Sequence, residues 1–293
     1  MKRAIAIAAF LFFILPENIS YAATSVGKPT EAKAPYTFAV IPFYTPEKIW
    51  ALYTPFIDYL KKSTGQPWEL KLYSNHDELI EGVCSGKVSA ALLGPVPLGR
   101  ANSRCGVKPL LAALGKDGKP DYHAVILTNS PAVKSLKDLK GNRFGFFKGS
   151  TAAHILPAKM LKDAGVSMAD IQPVFLESQD KIMTALLSGE LSGAGVKENL
   201  AKKFANTGVR SVAISQPLPN FAISVTPSFP PAARQRLVTS LVRLKPLSNG
   251  ADAEAMKEWD DEIKNGFITP DKEFLPAVTR IFDIFTEIQG SKK

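Results

Sequence analysis

The chain has 293 residues, with 36 Lys and Arg against 27 Asp and Glu, three His, two Cys and a formal charge of +9. That length gives one or two domains with ample apolar surface to bury. The basic excess suits attraction of anions, but no basic stripe interleaved with aromatics accompanies it, so nucleic acid is not an expected partner.

The first residues read as an export signal. Met1-Lys2-Arg3 is a short basic start, and 4-AIAIAAFLFFIL-15 is an apolar run too short to span a bilayer comfortably. Pro16 breaks it, and Ser20 and Ala22 stand at the −3 and −1 positions of a cleavage site. Residues 1–22 are therefore expected to be a signal peptide cleaved after about Ala22, with 23–34 a flexible start. The rival reading is an uncleaved membrane anchor. No later stretch approaches eighteen apolar residues, so the mature chain is expected to be exported.

The body of the chain is written twice. Residues 76-HDELIEGVCSGKVSAA-91 align without a gap to 179-QDKIMTALLSGELSGA-194, with Asp77/Asp180, Ser85/Ser188, Gly86/Gly189, Ser89/Ser192 and Ala91/Ala194 identical. Both read as an amphipathic helix, a Ser-Gly terminator and a short apolar strand; Gly86 and Gly189 sit where a helix end favours a left-handed residue. Upstream, 55-PFIDYLKKSTG-65 resembles 157-PAKMLKDAG-165, and each follows an apolar strand, 38-FAVIPF-43 or 143-RFGFF-147. Each half thus has the order strand, loop, helix, strand, helix, strand of a parallel α/β sheet.

Two strand-like crossings, 122-YHAVILT-128 and 221-FAISV-225, join the halves. The expected organisation is lobe one from 35–124, lobe two from 125–222, and C-terminal helices of lobe one from 223–293. Helical spacing marks 231–245, 252–266 and 274–289.

The loop 148-KGSTAAH-154 leads from an apolar strand into a helix, where open α/β sheets bind ligands. A helix N-terminus carries unpaired N–H groups and partial positive charge. Gly149 allows close backbone approach, Ser150 and Thr151 add hydroxyls, and His154 adds a ring nitrogen. The plainer reading makes Ser150 or Thr151 a helix cap and His154 a surface residue.

Gly-Ser-Thr-x-x-His followed by Ile-Leu-Pro resembles the anion-binding loop of periplasmic phosphate, phosphite and phosphonate receptors of ABC importers. The resemblance extends through 53-YTPFIDYLKKSTG-65, 86-GKVSAALLGP-95 with Ala101, and 135-SLKDLKGNRFGF-146. It implies an α/β fold of two lobes, a type 2 periplasmic binding protein with mostly parallel sheets flanked by helices and the ligand cleft between them. It further implies a periplasmic monomer without cofactor, which presents its ligand to a membrane ABC permease. By this resemblance Ser150, Thr151 and His154 hold the oxyanion and Tyr44 closes on it; Gly149, Ala152 and Tyr122 complete the expected set. The chain departs from the pattern at 92-LLGPVP-97, where phosphonate receptors often carry an aromatic. No carboxylates stand ready for an aminoalkyl group, since Asn220 and Glu198 lie near the expected places, so a small bare oxyanion fits better. The contributions of Lys197, Glu198 and Asn220 stay open at this level. A sub-branch of the same family senses arsenic oxyanions and signals to a histidine kinase, which is the alternative reading.

Catalysis is not expected. Gly-x-Ser-x-Gly, His-Glu-x-x-His and the phosphate-loop motif are all absent. Cys84 closes one expected helix and Cys105 the next, at the lobe-one edge away from the ligand, which predicts a disulfide. The rivals are two unrelated thiols, or a Cys105 that binds trivalent arsenic.

Overall fold

The computed structural model describes residues 34–290, so the expected signal peptide lies outside the described residues. The first half runs β1 (Tyr36–Val40), α1 (Pro46–Thr64), β2 (Trp68–Lys71), α2 (His76–Cys84), β3 (Ala90–Leu93), α3 (Pro95–Cys105) and β4 (Lys108–Ala113). After β5 (Asp121–Tyr122) come β6 (Ala124–Thr128), β7 (Arg143–Phe147) and a π-helical turn, Thr151–Ile155, that continues into α4 (Leu156–Asp163). Then follow β8 (Gln172–Leu176), α5 (Gln179–Leu187), β9 (Gly193–Lys197), α6 (Glu198–Lys203) and β10 (Arg210–Ile214). The chain closes with β11 (Leu218–Pro219), β12 (Ala222–Val225), α7 (Pro231–Val242), α8 (Gly250–Ala255), β13 (Phe267–Ile268) and α9 (Phe274–Gly290).

These strands form two sheets. One has the order β13-β4-β12-β3-β1-β2 and the other β10-β6-β9-β7-β8. Three strands of each repeat pair in parallel, β2-β1-β3 and β8-β7-β9, as strand–helix–strand units require. The remaining pairings are antiparallel, so each sheet is mixed rather than mostly parallel. The cause lies in the crossings: β6 and β12 each enter a sheet from the other side and run back against it. Between them, β5 and β11 pair as a two-stranded antiparallel ribbon.

The buried strands read as apolar runs because both sheet faces are covered. Residues of β3 (Ala90–Leu93) are buried throughout, as are those of β6 and β9. Gly86 and Gly189 both adopt left-handed backbone, with φ of 77° and 81°, just past the equivalent helices. Helix α9 packs on α3 of the first half and on α4 of the second. Among the described residues no helix is long and apolar enough to cross a membrane.

One expected helix is cut short. The spacing predicts helix over 252–266, but α8 ends at Ala255 and the chain continues in turns. Asp260 Oδ1 accepts the backbone N–H of Glu262 at 2.9 Å, and this Asp-to-backbone bond competes with the helical pattern. It turns Trp259, Asp260 and Glu262 inward, where all three are buried.

Candidate functional site

The N-termini of α2, α3 and α5 and of the π-helical turn before α4 meet where the two sheets face each other. They enclose a cavity of about 10 Å³ lined by Phe43, His76, Gly94, Tyr122, Ser150, Thr151, Ala152, Gln179 and Lys197 among others. Space of that order holds about one water molecule, so an oxyanion enters only if the two halves part.

The Gly149–Thr151 turn is the most organised wall. Gly149 has φ of 80°, a conformation that side-chain-bearing residues rarely adopt, and a Cβ there would lie 3.5 Å from the His76 ring. Ser150 is the N-cap: its Oγ accepts from Ala153 N at 3.1 Å. Thr151 Oγ1 accepts the N–H of Val96 at 2.9 Å, a hydrogen bond from one half to the other. Pro95 and Pro97 lack N–H groups, so Val96 is the first donor of α3, and Thr151 takes it. Thr151 and Ala152 come ahead of the first intrahelical bond, and their N–H groups have no partner within the helix.

The structure places the expected residues unequally. Gly149, Ser150, Thr151, Ala152 and Tyr122 gather at or beside the cavity. His154 stands behind the turn instead: its Nδ1 accepts the N–H of Gly149 at 3.1 Å, and its ring packs on Phe146 and Phe175 at 5.5 and 5.3 Å. It shapes the turn and is not among the lining residues. Tyr44 also lies off the cavity, with Lys48 Nζ 3.6 Å from its ring centre and Phe43 beside it. Burial, then the charges of Asp260 and Glu262, push the Tyr44 hydroxyl pKa far up. Of the residues left open by the sequence, Lys197 and Asn220 are buried and hydrogen-bonded to each other, Nζ to Oδ1 at 2.8 Å. Glu198 lies outside this cavity, with its carboxylate 2.8 Å from Lys202.

Four lining or adjoining groups, His76, Gln179, Asp260 and Glu262, were not assigned to the site from the sequence. His76 begins α2 and Gln179 begins α5, both buried. Gln179 Oε1 accepts from Lys197 N at 3.3 Å, which leaves its NH₂ to donate. Lys197 also pairs with Glu262, both about 5% exposed, and its ammonium lies 4.1 Å and 4.3 Å from the ring centres of Phe221 and Tyr122. Next to that pair, burial and the Glu262 charge raise the Asp260 carboxyl to about 7. Tyr122 is 2% exposed, its hydroxyl lies beside Thr151, and burial followed by Glu262 raises its pKa.

Beside the crossings lies a second, larger basin of about 750 Å³. Lysines 116, 119, 202, 203 and 264 and acidic residues 117, 121, 198 and 261 line it, and Tyr122 and Lys197 form the wall it shares with the small cavity. Its charges are mixed and open to water, which weakens their hold on an anion.

At the far ends of α2 and α3, Cys84 and Cys105 form the expected disulfide, with Cα atoms 5.6 Å apart. It ties together two helices whose N-termini face the cavity. Lys48 and Asp180 form an ion pair of 2.9 Å that joins the two halves at the cleft edge.

Comparison with known proteins accords with this geometry. The family model described as ABC transporter, phosphonate, periplasmic substrate-binding protein matches residues 38–274. The phosphate-import protein PhnD of Mycolicibacterium smegmatis is 29% identical over 180 residues, 57% of this chain and 56% of that protein. A putative aliphatic sulfonates-binding protein of Escherichia coli is 28% identical over 165 residues, 49% of this chain and 47% of that protein. The chain thus spans about half the length of these curated relatives. Among solved structures, a binding protein component of an ABC phosphonate transporter from Pseudomonas aeruginosa superposes with TM-score 0.75 at 15% identity, covering 88% of this chain and 89% of that one. PhnD1 of Prochlorococcus marinus, solved with methylphosphonate, gives TM-score 0.74 at 14% identity over 87% of this chain and 98% of that one. The fold is that of a two-lobed type 2 periplasmic binding protein, and the family is one of solute-binding receptors rather than enzymes. With more than half of its length matched, the chain belongs to the family of phosphonate-type periplasmic substrate-binding proteins of ABC transporters.

Proposed function

We propose that this protein captures a small oxyanion of the phosphate, phosphite or phosphonate type between its lobes and presents it to an ABC permease. The observation that carries this reading is the Gly149–Thr151 turn, which sets two buried hydroxyls and the first N–H groups of a helix against the N-terminus of α3 from the other half. Such groups favour negative charge by hydrogen bonding and by helix polarity. The names of the relatives support the same class, one importing phosphate and another solved with methylphosphonate.

Loading requires parting of the lobes about β5 and β11, followed by closure. An oxyanion that contacts both lobes binds the closed form better and so shifts the equilibrium toward it. The permease then reads the closed shape. Lys197 supports a ligand without a cationic tail, because an aminoalkyl group leaving the cavity meets this ammonium. Nothing favours an arsenite sensor: both cysteines of the chain are in the disulfide, and trivalent arsenic binds thiolates.

Calorimetry with phosphite, phosphate and methylphosphonate tests the reading. The double variant Ser150→Ala/Thr151→Ala should lose on the order of 2–4 kcal/mol of binding, the usual contribution of two hydrogen bonds to a charged group. Unchanged affinity in that variant rules out the site.

A further inference from the structure

His76 has no role in the account so far, yet it is 3% exposed, lines the cavity, and its Nε2 has no hydrogen-bond partner. Buried ring nitrogens are ordinarily satisfied, so an orphan on a cavity wall marks a place where a partner belongs. We propose that His76 Nε2 accepts the O–H of a singly protonated oxyanion, so that the protein takes phosphorus oxyanions and rejects sulfate and sulfonates. The inference rests on the oxyanion reading above and deepens it by naming what distinguishes the substrate.

The geometry fixes which nitrogen does what. The Cγ–Nδ1 edge of the ring lies against Gly149, and the Lys148 backbone beside it favours a proton on the ring. The Nδ1 side therefore carries the proton, and Nε2, on the opposite edge, presents a lone pair. Phe147 covers a face of the ring at 5.0 Å between centres.

The charges around His76 keep it neutral. On its own helix Asp77 is turned to Arg100, 2.5 Å away, and that guanidinium holds the Asp77 carboxyl below its usual range. From α3, Arg100 opposes a second positive charge; from the turn before α4, His154 opposes it too. Lys148 acts on Asp77, and Lys197 stands across the cavity with its charge met by Glu262. Burial is the largest influence and Arg100 the next; they outweigh Asp77, which pulls the other way, and lower the His76 pKa to about 4.

A neutral acceptor discriminates by proton. The monoanions of phosphate, phosphite and methylphosphonate carry an O–H that Nε2 can accept. Sulfate and alkylsulfonates carry none near neutral pH, so each would set an oxygen lone pair against a nitrogen lone pair. The escape is protonation of His76, which at pH 7 costs about a thousandfold in affinity for a group with a pKa of about 4. Tyr122 and the Gln179 amide can donate to either kind of anion and do not discriminate.

Methylphosphonate and methanesulfonate, matched in size, are the probes. Calorimetry on the full mature protein at pH 6 to 9, in two buffers of different ionisation enthalpy, reads affinity and proton uptake together. The expected result is preference for methylphosphonate by at least about thirtyfold at pH 7, the cost of an unmade buried hydrogen bond. Its affinity should fall about tenfold per pH unit above the second pKa of the ligand, with uptake of close to one proton. His76→Phe should bind both probes within a few-fold of each other, and His76→Gln, which keeps an acceptor oxygen, should retain the preference. Equal affinity of the wild-type protein for both probes, or a preference that survives in His76→Phe, overturns the inference and leaves the oxyanion site standing. Binding of neither probe, and of neither phosphate nor phosphite, overturns both.

Discussion

Helices α2 and α5 are the same element used twice, and their differences show how a duplicated half acquires separate tasks. Each starts at the cavity with a capped N-terminus: Asn75 accepts from Glu78 N at 2.9 Å and Ser178 from Lys181 N at 3.2 Å. Each puts its first residue into the cavity wall, His76 in one half and Gln179 in the other. The second residue is aspartate in both, but Asp77 pairs within its half to Arg100, whereas Asp180 reaches across to Lys48. At the far end Cys84 is bonded to Cys105, where the equivalent Leu187 is exposed. One half is thus braced and carries a titratable wall; the other carries an amide and a latch.

The largest effect should come where the halves are locked through a buried charge pair. Lys197→Met leaves the Glu262 carboxylate buried without its ammonium and should cost about 3–5 kcal/mol of unfolding free energy. Lys197→Met with Glu262→Met should recover most of it. Urea unfolding measures both, and a single variant as stable as wild type would show that the pair does not hold the halves.

Next comes the brace on the first half. The bond between Cys84 and Cys105 spans 21 residues, and its loss in Cys84→Ala/Cys105→Ala should cost about 3 kcal/mol on the chain-entropy model. Hydrogen exchange should show the loosening in α2 and α3 and leave α5 protected. Equal loosening of both would contradict a brace confined to one half.

The titratable wall supplies a third contrast. The His76 pKa is about 4 in the folded chain against an ordinary value of 6.5, so the unfolded chain binds a proton that the folded one refuses. Stability is fully present above about 6.5 and falls as pH drops toward 4, by roughly 2–3 kcal/mol. His76→Phe should flatten this acid limb, and Gln179→Leu should not change it. Asp260 works oppositely: raised from 3.8 to about 7, it favours the folded state at low pH and withdraws that support as pH rises through 7. Thermal melts across pH 4 to 8 separate the two through His76→Phe and Asp260→Asn.

The smallest effect belongs to the latch. Lys48 and Asp180 are each about one-third exposed, so the pair contributes at most about 1 kcal/mol. Asp180→Asn should weaken oxyanion affinity by a few-fold in low salt and less in high salt, while Asp77→Asn leaves the salt dependence as it is.

Much of the fold could be read from the chain because the halves repeat. The match between 76–91 and 179–194 announced both sheets, both helix ends and the strands that follow. The turn at Gly149 was legible for a local reason: small residues at a strand-to-helix junction have few uses. The wall residues His76 and Gln179 occupy equivalent positions in that same alignment, and this was the available signal for them. The pairing of Lys197 with Glu262 was not legible, since 65 positions separate partners brought together only by the crossings. Nor was the inward turn at Asp260, where helical spacing yielded to a side-chain bond to the backbone. His154 matched a motif but serves the turn from behind, a difference of orientation that spacing does not encode.

The central claim is that a single oxyanion sits where the two halves meet. A crystal structure of the protein grown with methylphosphonate tests it most directly. The account predicts the phosphonate in the small cavity, within hydrogen-bond distance of the Ser150–Ala152 turn on one side and His76 on the other. A phosphonate bound only in the larger basin, among Lys116, Lys119 and Lys264, would contradict it.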